Sequence, residues 1–105
     1  MEEKTLASVR KSLTEAAEKG SSAIWATYST LLKEGGKDWQ VLAAISVVSA
    51  ELFWASVKQD NNEYISIFCA MNVMVDDYAR DHSEEIDDYP AFREHFQEWN
   101  SEIPF

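Results

Sequence analysis

Apolar residues recur at intervals of three and four along almost the whole chain, and Gly, Pro and Asn fall between the periodic stretches. That spacing predicts successive helices. Leu6, Val9, Leu13 and Ala16/Ala17 mark a first helix over roughly 3–19, with Glu2 and Glu3 at the positive end of its dipole and Lys19-Gly20 as its stop. Ser21 or Ser22 is expected to cap a second helix carrying Ile24, Trp25, Tyr28, Leu31 and Leu32 and closed by Lys33 and Gly35-Gly36. Asp38 opens a third. There, one stripe runs through Leu42, Ile45, Val48 and Leu52 and another through Trp39, Ser46, Ala50 and Phe53, so most of the circumference is apolar or small and the helix belongs in the centre.

"DNNE" at 60–63 ends the third helix and offers a capping box, Asp60 to Glu63, for a fourth with Tyr64, Ile67, Phe68, Met71, Val75 and Tyr78 inward. Pro90 suits the first turn of a fifth, in which Phe92, Phe96, Trp99 and Ile103 share a face before Pro104 ends it. The expected architecture is all-α: a compact bundle of four main helices plus a short C-terminal helix, forming a single domain over 1–105.

Composition bounds the setting. A content of 46% hydrophobic residues with 12% aromatic is enough to fold. The single cysteine, Cys69, cannot form an internal disulfide, and the N-terminus opens on acids where a secretory signal has a basic patch, so a cytoplasmic location is expected. The longest apolar run, Val41 to Val57, is interrupted by Glu51 and falls short of the ~20 residues that span a bilayer. It reads as a core helix, with no membrane involved.

The net charge of -10 is unevenly placed. Residues 1–58 hold seven Lys/Arg and seven Asp/Glu, whereas residues 59–105 hold two and twelve. The densest stretch, "VDDYARDHSEEIDDY" at 75–89, carries seven carboxylates relieved only by Arg80 and His82. If the fourth helix continues through residue 88, Asp77, Asp81, Glu84, Glu85 and Asp88 line one face about 16 Å long. Glu94, Glu98 and Glu102 repeat the device at intervals of four. Like charges so spaced cost a helix roughly 0.2–0.5 kcal/mol per pair, so local stability does not explain them.

The chemistry these residues offer is narrow. An EF-hand starting at Asp76 has Tyr78 third and Asp81 sixth, which fails the pattern, and His82 with Glu85 or His95 with Glu98 reverses the Glu-x-x-His order of di-iron bundles. No metal site or cofactor is expected. Cys69, in "SIFCAMNV", reads as a buried small hydrophobe, and neither a nucleophile elbow nor a phosphate-cradling loop is present. With no catalytic residue identified, the chain reads as non-enzymatic; Glu51, His82 and His95 are the titratable groups an enzyme reading would use. Glu51 is expected on a more polar face with Gln40, Ala44, Val47, Trp54 and Lys58, where Trp54 is a possible apolar anchor.

Direct nucleic-acid binding needs Lys/Arg to neutralise phosphates, and here these residues are few, scattered through the first half and matched one for one in number by acids. The inverse is coherent: a folded array of carboxylates engages the basic channel that another protein uses for DNA or RNA. In being small, helical, acidic and free of a catalytic motif, the chain is similar to phage anti-defence inhibitors, DNA-mimic proteins and toxin-neutralising immunity proteins, a likeness of composition that covers no alignable stretch. The expected function is that of an inhibitor or binding module occluding a basic surface on a nucleic-acid-binding partner. Asp77, Asp81, Glu84, Glu85, Asp88, Glu94 and Glu98 would supply charge and Tyr89 an aromatic contact. The alternative is a structural subunit or adaptor acting through Trp25, Trp39 or Trp54, as a homodimer or within a complex.

Overall fold

A computed structural model describes residues 1–100, and the side chains of 1–98. It is all-α: α1 (Glu3–Lys19), α2 (Ser21–Gly35), α3 (Trp39–Lys58), α4 (Asn62–Asp81) and the shorter α5 (Tyr89–Asn100). Trp99 as a core contact, and Glu102 and Ile103 altogether, lie outside the described residues.

The second stripe of α3 decides the architecture. All residues from Leu42 to Ala50 are buried, which requires neighbours around the whole circumference, and α1, α2, α4 and α5 all pack against α3. Ala44 and Val47, expected on a more polar face, are buried as well. By length and mean hydropathy (1.6) α3 would suffice to cross a membrane, but 61% of its apolar window is buried inside the bundle. Glu51 lies half-buried on this helix, where Arg10 of α1 grips both its carboxylate oxygens at 2.8 and 2.9 Å. That bidentate pair raises the Arg10 pKa, its hydrogen bonds to Glu51 outweighing the opposing effect of burial.

Around this centre the expected faces turn inward: Val9, Leu13 and Ala16 from α1, Ile24 and Tyr28 from α2, Ile67, Phe68, Met71 and Val75 from α4, and Phe92 from α5. Cys69 is half-buried at the margin of this core rather than fully inside it. Asn72 is one of two buried polar residues in α4, with Asp76, and is satisfied by donating to the Ser46 carbonyl at 3.0 Å and its hydroxyl at 3.2 Å.

Two helix starts differ from expectation. Gly20, at φ +125°, is the only residue between α1 and α2, so Ser21 is already helical and its hydroxyl donates to Glu63 of α4 instead of capping. At the α3–α4 junction Asp60 adopts a left-handed conformation (φ +54°) and the cap passes to Asn61, whose side chain accepts from the Tyr64 N–H at 3.2 Å. Asp38 caps α3 as expected, accepting from Gln40 N–H at 2.9 Å.

Candidate functional site

The acidic stretch begins at the end of α4 and leaves the helix there. His82 closes the last turn through its N–H to the Tyr78 carbonyl, Glu85 and Ile86 N–H groups both return to the His82 carbonyl, and Asp88 takes a left-handed conformation (φ +48°) before α5 starts. The continuous stripe through residue 88 is therefore not formed. Asp77 and Asp81 lie on α4, Glu84, Glu85 and Asp88 on the turn that follows, and all five are exposed.

Two contacts make this turn a fixed structure. Ile86, the single large apolar residue between His82 and Asp88, is buried in the core, and the Asp87 N–H donates to the Lys37 carbonyl at 3.0 Å, forming a bridge between the turn and the α2–α3 connection. Gly36 sits in that connection beneath Tyr78: a Cβ there would meet the Tyr78 hydroxyl and the Leu32 carbonyl oxygen at 2.5 Å. Only a residue without a side chain admits so close an approach.

The two cations of the C-terminal half meet at one buried carboxylate. Arg80 from α4 and Arg93 from α5 both bind Asp76, which is only 7% exposed and takes one arginine on each carboxylate oxygen. Arg80 also reaches Asp77, at 3.8 Å. These are the only two Lys/Arg residues after position 58. Among the described residues, Asp81, Glu84, Glu85, Asp87, Asp88 and Glu94 make no salt bridge. The sequence reading missed Asp76 as an organising residue; Arg80 four positions on was a visible signal, Arg93 seventeen positions on was not.

The remaining sequence-predicted residues distribute around this centre. Tyr89 is half-buried, its ring 6.1 Å from that of Phe92. Glu94 and Glu98 are exposed on α5, which packs against α3. Trp54 is 37% exposed and packed edge-on to Phe53, about 22 Å along α3 from the Trp39 end that neighbours the acidic turn, so it cannot share a compact contact patch with those acids. Trp39 stacks on His95 at 5.4 Å, and His82 stacks on Tyr78 at 4.2 Å while its Nδ1–H donates to the Tyr78 carbonyl. Both histidines thus have packing roles.

Comparison with protein-family models, curated proteins and solved structures found no match for this chain. The site is read from its own chemistry.

Among the described residues no three His, Cys, Asp or Glu side chains converge closely enough to hold a metal ion. The depression among Asp81, His82, Ser83, Glu84 and Glu85 is open and about 210 Å³, small for an organic substrate. Nearby, burial pushes the Tyr28 phenol up to about 12, with Asp77 and Tyr78 adding to the effect. What the arrangement offers is a fixed, accessible display of carboxylates in which, among the described residues, Asp77 alone reaches a cation, Arg80, and Asp81, Glu84, Glu85, Asp87 and Asp88 make no salt bridge.

Proposed function

We propose that this protein is a non-enzymatic binding module, of anti-defence, nucleic-acid-mimic or immunity type, whose acidic end occludes a basic, nucleic-acid-handling site on a partner protein. The observation that carries this reading is the exposed group Asp81, Glu84, Glu85, Asp87 and Asp88, which makes no salt bridge among the described residues, while both C-terminal arginines are held at Asp76. Local energetics work against Asp81. Asp81 stands at the end of α4, where the helix dipole disfavours an anion, and it repels Asp77 at i, i+4.

A basic groove relieves both penalties and repays them at long range through fast, salt-sensitive association. Charge reversal of Asp81, Glu84 and Glu85 to Lys tests the reading, because all three are exposed and replacement need not disturb the core. The folded triple variant is expected to lose a partner that the wild-type protein retains from lysate at low salt. Equal retention by both proteins would remove the acidic end from the interface. Trp54 supports a second reading, an adaptor binding through apolar contact, for which retention would be insensitive to salt from about 50 to 500 mM.

A further inference from the structure

No further inference is drawn: the strongest candidate, the exposed apolar patch of Val73 and Met74 on the outer face of α4, shares that face with Arg80 as well as with Asp77 and Asp81, and nothing in the structure shows what covers it.

Discussion

Asp76 accepts hydrogen bonds from arginines on two different helices, so its loss affects more than one element. Asp76→Asn should cost about 1–3 kcal/mol in urea denaturation, the scale of hydrogen bonds to charged groups, and should loosen α5, which Arg93 ties to α4. An unchanged midpoint would show that the pair contributes nothing to the fold. The sequence could suggest the Asp76–Arg80 spacing but not Arg93, because that contact depends on where the turn delivers α5. Tyr28 gives a pH test at the same scale. Its folded pKa of about 12 exceeds the ordinary value of 10.0, so its stabilising contribution is present below pH 10 and is lost as pH rises through 12. Tyr28→Phe should therefore lose less stability than wild type over that interval, and parallel profiles would contradict the assignment.

At the scale of elements, the end of α4 opposes local stability. Asp81→Lys replaces an anion at the negative end of the helix dipole and turns the repulsion with Asp77 into attraction, so it should raise stability by several tenths of a kcal/mol while weakening partner binding. Thermal unfolding checks the first effect, and a midpoint below wild type would show that Asp81 has a structural role. Gly36→Ala should cost about 1–3 kcal/mol, because the new methyl group meets the Tyr78 hydroxyl and a carbonyl oxygen. Helix existence and most apolar faces were legible from periodicity, and Asp38 as a cap from its position. The break after Asp81 was not, because acids fit helix and turn alike and the turn is set by distant contacts, Ile86 in the core and Asp87 on Lys37. The polar face proposed for α3 holds at Gln40, Glu51, Trp54 and Lys58 but not at Ala44 and Val47, for a related reason: alanine and valine accept either environment, and neighbouring helices cover both.

Over the whole molecule, a neutral N-terminal half and a C-terminal half with excess carboxylate fold around the same central helix. The all-α architecture and the charge asymmetry were both legible from the sequence. The spatial fate of the two arginines was not: both gather at Asp76, and the acids of the turn after α4 make no salt bridge among the described residues. The most direct measurement is displacement: the partner captured by the wild-type chain is loaded with labelled nucleic acid, and the chain is titrated in at low and high salt. Wild type should release the nucleic acid at low salt, and the Asp81→Lys, Glu84→Lys, Glu85→Lys variant should not. Equal release by both proteins, or nucleic acid that stays bound while wild type occupies the partner, would contradict the account.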